Sequence, residues 1–249
     1  MVSVSPDGSE IFWGASKQWF PMSRISEVRT ARRGPKGWGP ARTAPFSIGY
    51  SDGDPVISHD GKRIFFVSIR PVRGPRKDFD IYVVDRTAKG WSEPRNLAAL
   101  NSPGDELYPS AAGDGTIYFA SERSGPFKIY SATLGADGNY GEPKELPAPV
   151  NDPSVWNFNP FVTRDGNTMV FTSLGRQGGA GQGDIWVAKR SSSSAPWTVK
   201  NLGPKVNTAA EEFHPTLSPD GRALFFVRRG SGPSANADIY WISTAGLGI

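Results

Sequence analysis

Eight polar residues in this 249-residue chain recur at fixed offsets from four prolines, and their types are those that bind cations or move protons. Immediately before Pro55, Pro109, Pro160 and Pro215 stand Asp54, Tyr108, Asn159 and His214. Three residues before the same prolines stand Asp52, Glu106, Asn157 and Glu212. If one surface gathers them, four carboxylates, two amides, a phenol and an imidazole make a ligand-binding site or a site for a hard divalent cation. The candidate metal ligands in that set are Asp52, Asp54, Glu106, Glu212 and His214, and the candidate catalytic groups are His214, Glu212 and Glu106. Crowded carboxylates raise one another's pKa values, so the same set could supply a hydrolase with an acid, a base and a metal-bound water. Carbohydrate hydrolysis by paired carboxyl groups would require separations of about 5 Å or about 6.5–9.5 Å. Set against this, an acid that recurs from repeat to repeat, as Glu106 and Glu212 do, reads as a hydrogen-bonding partner between repeats, and His214 is the member that breaks the pattern.

The elements that position these residues come from an internal repeat. Asp-Gly recurs at Asp7-Gly8, Asp60-Gly61, Asp114-Gly115, Asp165-Gly166 and Asp220-Gly221, at spacings of 53, 54, 51 and 55. Each pair is followed by a short apolar, aromatic run such as Ile64-Phe65-Phe66 or Leu224-Phe225-Phe226, which predicts a buried strand behind a tight hairpin turn. A third segment follows at Asp80-Ile81-Tyr82-Val83, Lys128-Ile129-Tyr130, Asp184-Ile185-Trp186-Val187 and Asp238-Ile239-Tyr240-Trp241. In the first repeat, Arg24-Ile25-Ser26-Glu27 is a poor match to it. A fourth is announced by Trp38, Trp91, Tyr140 and Trp197, the last three leading to Asn101, Asn151 and Asn207. Four-strand antiparallel units of this size stack radially, so the expectation is all-β: a five-bladed β-propeller of four-stranded antiparallel blades. One domain spans residues 1–249, with blades at approximately 1–50, 51–104, 105–155, 156–210 and 211–249. The last blade lacks its outer strand, and the segment that closes the ring is expected to lie upstream of Met1. The unclosed sheet edge predicts self-association.

Pro109 to Asp114 with Ile117-Tyr118-Phe119-Ala120-Ser121-Glu122-Arg123, and Asp184-Ile185-Trp186 with Trp197, Asn201-Leu202-Gly203, Val206-Asn207 and Glu212, resemble the TolB-type, WD-like β-propeller repeat. That resemblance implies a periplasmic or cell-envelope protein and serves partner-binding platforms, peptidase accessory domains and envelope lipoproteins alike. The function expected is a non-enzymatic binding or scaffold module that presents its channel mouth and loops to a protein or glycan partner. The alternative is a hydrolase of esters, phosphoesters or glycosides with a metal or carboxylate site at the channel mouth. Cofactor expectations stop at a divalent cation in the central channel.

Other features narrow the classes. The net charge of +4 divides into 16 Lys and Arg against 10 Asp and Glu in residues 1–100 and 12 against 14 afterwards, too dispersed for a nucleic-acid binder. No apolar run approaches a membrane span, and Met1-Val2-Ser3 does not begin a signal peptide. The chain has no Cys, which removes disulfides, thiolate zinc sites and cysteine nucleophiles. The glycine-rich run Gly175–Gly183 precedes a strand rather than a helix and reads as a hairpin tip, as Asp137-Gly138-Asn139 reads as a turn. Arg70, Arg123, Arg176 and the pair Arg228-Arg229 follow the second strands and are expected to pair with Asp80, Asp184 and Asp238 on the third.

Overall fold

The computed structural model describes residues 2–16, 26–71, 78–230 and 236–249, and these form an all-β propeller. Blade 1 comprises Val2–Val4, Glu10–Ser16 and Ser26–Gly34, with Arg42–Thr43 along the outside. Blade 2 runs Asp52–Ile57, Arg63–Ser68, Asp80–Thr87 and Arg95–Asn96, and blade 3 runs Glu106–Ala111, Ile117–Ser121, Lys128–Ala132 and Lys144–Glu145. Blade 4 runs Asn157–Val162, Thr168–Leu174, Gly183–Lys189 and Thr198–Asn201. Blade 5 has three strands among the described residues: Glu211–Leu217, Ala223–Arg229 and Ala237–Ser243. Each blade is an antiparallel meander, and a parallel bridge from Gly183 to Glu211 joins blades 4 and 5.

The Asp-Gly pairs build the first hairpin of every blade. Each glycine has φ between 68° and 88°, a left-handed geometry that a Cβ would strain. Asp7, Asp60, Asp114, Asp165 and Asp220 accept the backbone N–H two residues ahead at 2.9–3.1 Å. The second strands then run apolar, and those of blades 2 to 4 are buried on both faces, because each of these three blades is covered on both sides by its neighbours. Phe12, Phe66, Phe119 and Phe171 on these strands are among the largest fully buried side chains. Core packing accordingly lies between blades: separate apolar clusters fill the seams 1–2, 2–3, 3–4 and 4–5.

The fourth segments are short as strands but long as plugs. Ala44, Leu97, Leu146 and Leu202 each donate a backbone N–H to the carbonyl of a third-strand residue, Val28, Ile81, Ile129 and Ile185 respectively, at 2.8–3.2 Å. Their side chains, with Phe46, Leu100, Val150 and Val206, enter the seam cores. The chain then closes on the same third-strand residue through a side chain. Asn101, Asn151 and Asn207 accept the N–H of Ile81, Ile129 and Ile185 at 2.8–2.9 Å and return Nδ2 to its carbonyl at 2.8–3.2 Å. Ser47 Oγ does the accepting half for Val28 at 2.9 Å. The asparagine amide thus stands in for one more residue of strand. In blade 1 this corrects the alignment: the third strand is Ser26–Gly34 with Val28 in the place of Ile81, while Arg24 and Ile25 lie outside the described residues.

Candidate functional site

The inner strands of blades 2 to 5 share one irregularity. Register slips by a residue between Gly53 and Val56, Leu107 and Ser110, Phe158 and Phe161, and Phe213 and Thr216. At each bulge the residue before proline is left-handed: Asp54 at φ 48°, Tyr108 at 57°, Asn159 at 53° and His214 at 53°. No other described non-glycine residue has positive φ. A residue before proline is normally driven to extended backbone, so four left-handed copies represent strain that the surrounding structure overrides.

The bulge separates the two sets of candidates, which the alternation of an ordinary strand would place on one side. The set three before proline is fully buried inside its own blade and its linker. Asp52 accepts both of its bonds from Arg70 at 2.9 Å. Glu106 accepts from the Ser102 N–H at 2.7 Å, from the Ser102 and Ser121 hydroxyls at 2.6 Å, and from Arg123 at 3.4 Å. Glu212 accepts from the Thr208 N–H at 2.9 Å, the Thr208 hydroxyl at 2.6 Å and Arg228 at 2.6 Å. Asn157 accepts from Ser173 at 2.9 Å and donates to the carbonyls of Asp152 and Val155 at 2.9 and 3.1 Å. Burial raises the Glu106 carboxyl above its ordinary value, against the pull of these donors.

The arginines complete that ring, and this corrects the expected pairing with third-strand aspartates. Arg70, Arg123 and Arg228 reach the inner-strand acid of their own blade. Each guanidinium also lies over the rings of strands two and three: Phe66 and Tyr82, Phe119 and Tyr130, Phe226 and Tyr240, at 4.8–5.4 Å. In blade 4 the acid is replaced by Asn157. Arg176 keeps its stack over Phe171 and Trp186 but turns to the carbonyls of Pro149 and Val150, and burial lowers its pKa.

The residues immediately before proline face the channel instead. They link blade to blade: Asp54 accepts the backbone N–H of Tyr108, and Asn159 Oδ1 accepts that of His214 at 3.2 Å. Tyr108 and His214 meet edge to face across the lumen with centroids 5.1 Å apart. Asp54, Tyr108 and His214 retain some surface, yet it opens on a narrow, atom-crowded lumen rather than on bulk water, so desolvation governs all three. Burial pushes the Asp54 carboxyl up to about 6, pushes the Tyr108 phenol up, and holds His214 well below its ordinary value, hence neutral at pH 7.

The expected five-ligand cation site is therefore not assembled. Asp52, Glu106 and Glu212 are held apart from Asp54 and His214 by the bulge, and among the described residues no three His, Asp or Glu side chains stand close enough to share a metal. The same separation leaves Asp54 as the one carboxylate of the eight candidates that faces the lumen. Gly175–Gly183 forms the expected hairpin tip between strands two and three of blade 4, folded over Asp184, whose carboxylate accepts the Ala180 N–H at 3.0 Å.

Three residues that the sequence did not single out stand at the mouth where the blade linkers run. Ile48, Tyr50 and Trp156 are 71%, 49% and 46% exposed. Arg70 backs the Tyr50 ring at 5.1 Å, and Phe127 meets Trp156 edge-on at 5.6 Å. Their only sequence signal is position, a few residues ahead of the proline of blades 2 and 4.

No protein-family model matches the chain, and no curated protein matches it in sequence. Solved structures do match its fold. A protein of Agrobacterium tumefaciens described as TolB superposes with TM-score 0.67 at 18% identity, over 98% of this chain and 76% of its own. A thermostable family-43 glycoside hydrolase gives 0.65 at 14% identity, over 97% and 88%. The Bacillus subtilis arabinanase Arb43A gives 0.61 at 12% identity, over 97% and 92%. The fold is a TolB-like β-propeller.

Proposed function

We propose that this chain is a binding propeller whose linker mouth receives a protein or glycan partner. The observation that carries this reading is the exposure of Tyr50 and Trp156, with Ile48, in the linkers that lead into the inner strands of blades 2 and 4. Flat rings held from behind by Arg70 and Phe127 offer rigid apolar faces to a sugar or to an apolar side chain. Below them the lumen provides neutral His214, the Tyr108 phenol and the Asp54 carboxyl as the polar groups that would orient a ligand. The likeness to TolB propellers supports a protein partner and an envelope location, and the likeness to arabinanases supports a glycan. No described helix is long and apolar enough to cross a membrane.

Titration with arabino-oligosaccharides and with an immobilised panel of envelope proteins, repeated on Tyr50→Ala and Trp156→Ala, tests the reading. Binding that weakens at least about tenfold in these variants, with unchanged melting temperature, supports it. Ligands that bind both variants as tightly as the parent chain overturn it.

The hydrolase reading rests on the glycoside hydrolase neighbours. Its acid-base groups would be Asp54, whose carboxylate accepts the Tyr108 N–H, and His214, which meets the Tyr108 ring, since Glu106 and Glu212 already spend their acceptor capacity inside the blades. A screen of esters, phosphoesters and glycosides with metal analysis, run on His214→Ala and Glu212→Gln, decides this. Turnover abolished by His214→Ala and preserved in Glu212→Gln would favour catalysis in the lumen.

A further inference from the structure

At the end of the blades that carries the Asp-Gly turns, blades 1 and 2 part around a cleft of about 520 Å³, lined by Glu10, Arg32 and Arg33 from blade 1 and by Asp60, Lys62 and Arg86 from blade 2. A reversed charge pair creates it. Across strands two and three of blade 2, Arg63 faces Asp85 at 3.2 Å; at the same register in blade 1 the signs are exchanged, and Glu10 faces Arg32 at 2.8 Å. The exchange leaves a buried carboxylate under blade 2, where Glu10 accepts from Arg86 as well as from Arg32. Arg86 is fixed further by lying over Trp91 at 4.2 Å and by donating Nε to the Gly61 carbonyl at 2.8 Å.

The same corner is closed in the next two blades. By register, the place of Arg86 is taken by Leu134 in blade 3 and by Arg190 in blade 4. Leu134 lies so close against Gly115 that a Cβ there would meet it at 2.9 Å. Arg190 spends both terminal amino groups, Nη1 on the Ser193 carbonyl at 2.9 Å and Nη2 on the Tyr118 hydroxyl at 2.9 Å and the Gly166 carbonyl at 2.7 Å. Ser193 is there because Trp197 follows Arg190 by seven positions, whereas Trp91 follows Arg86 by five. Blade 2 thus lacks the loop that would cover the corner, and among the described residues Arg86 Nη1 has no acceptor.

The cations of the cleft are underused and its acids are not. Among the described residues the side chains of Arg33 and Lys62 form no ion pair, and both are exposed. Glu10 already holds two guanidinium groups, and Asp60 accepts the Ser58 hydroxyl at 2.6 Å and the Lys62 N–H at 3.0 Å. Asp7, at the rim, accepts the Ser5 hydroxyl at 2.5 Å and the Ser9 N–H at 3.0 Å.

We infer that this cleft binds a small phosphorylated ligand, with its phosphate held by Arg33, Lys62 and Arg86. The donors come from both blades, so they suit a tetrahedral group whose oxygens point in several directions better than a carboxylate with two coplanar oxygens. The volume falls within the roughly 300–1,000 Å³ of small-molecule sites, which leaves room for an organic part beside the phosphate. The site lies at the opposite end of the inner strands from the linker mouth and does not depend on what binds there.

The probes are inorganic phosphate and glucose 6-phosphate, titrated calorimetrically into the 249-residue chain at constant ionic strength, with acetate and glucose as controls. Expected are saturable binding of at least one phosphate probe at one site, slower acetylation of Lys62 when that probe is present, and about tenfold weaker binding to Arg33→Ala and to Lys62→Ala. Both substitutions are at exposed positions outside any described ion pair, so an unchanged melting temperature separates loss of binding from loss of fold. Tighter binding of glucose 6-phosphate would identify an organic phosphate as the ligand, and equal affinities the phosphate group alone. No saturable binding of either probe, acetate binding as tightly as phosphate, or affinity unchanged in both variants would each overturn the inference. So would equal weakening by Lys205→Ala, which removes the same charge from an exposed position beyond the last strand of blade 4, since attraction to overall charge would then explain the binding.

Discussion

Two rings of polar residues lie only two positions apart on the inner strands, yet they do opposite things. The ring of Asp52, Glu106, Asn157 and Glu212 is sealed inside the blades, each member holding its linker or second strand. The ring of Asp54, Tyr108, Asn159 and His214 hangs on left-handed backbone, lines the channel and ties blade to blade. The difference teaches that residue type is a poor guide to role here. Three acids that look like ligands are fasteners, while a tyrosine and a histidine form the lumen surface.

The largest test strikes the sealed ring. Glu106→Ala or Glu212→Ala leaves a buried guanidinium and a hydroxyl without their acceptor, and the expected loss is about 3–5 kcal/mol in urea denaturation. Unchanged stability in both would break the distinction between the rings.

The lumen ring answers to pH. Because the folded-state pKa of Asp54 lies above its unfolded value, ionisation opposes folding. Stability contributed by the neutral carboxyl is present below pH 4 and lost as pH rises toward about 6, by on the order of 2 kcal/mol. Asp54→Asn should flatten that slope in melting temperatures taken across pH 4–7. A slope that persists would place its source elsewhere.

The turns titrate in the opposite sense and more weakly. Hydrogen bonds from Ser5 and Ser9 hold Asp7 down at about 2, and Thr163 and Asn167 lower Asp165. These carboxylates stabilise above the ordinary carboxylate range and lose that contribution as pH falls through their depressed values. Asp165→Ala should cost about 1 kcal/mol at pH 7 and less near pH 2, where the depressed carboxylate begins to take up its proton. Equal cost at both pH values would contradict the assignment of the carboxylate as the acceptor.

Smallest of all is the expected effect of Tyr108→Phe. It keeps the ring contact with His214 at 5.1 Å and should shift stability by under about 1 kcal/mol, while altering any ligand affinity measured at the mouth.

The propeller itself was legible because its turns need particular residues: glycine at positive φ and aspartate ahead of it leave a periodic trace. The direction in which the rings point was not, because residues before proline ordinarily adopt extended backbone and nothing in Asp54-Pro55 or His214-Pro215 announces the left-handed bulge. Nor did the sequence disclose which acid Arg70 or Arg228 would choose, since that depends on the two aromatic rings that aim the guanidinium. Tyr50 and Trp156 escaped notice because irregular linkers carry no periodicity against which an exposed ring stands out.

The asparagine clamp and the plugs beside it bear on how such a chain changes length over generations. Each core belongs to two blades and each plug belongs to the seam after it, so a duplication cut at any equivalent point in the repeat inserts one complete seam and leaves the old ones intact. Blade number is then free to drift by whole repeats, and the seam is the heritable unit.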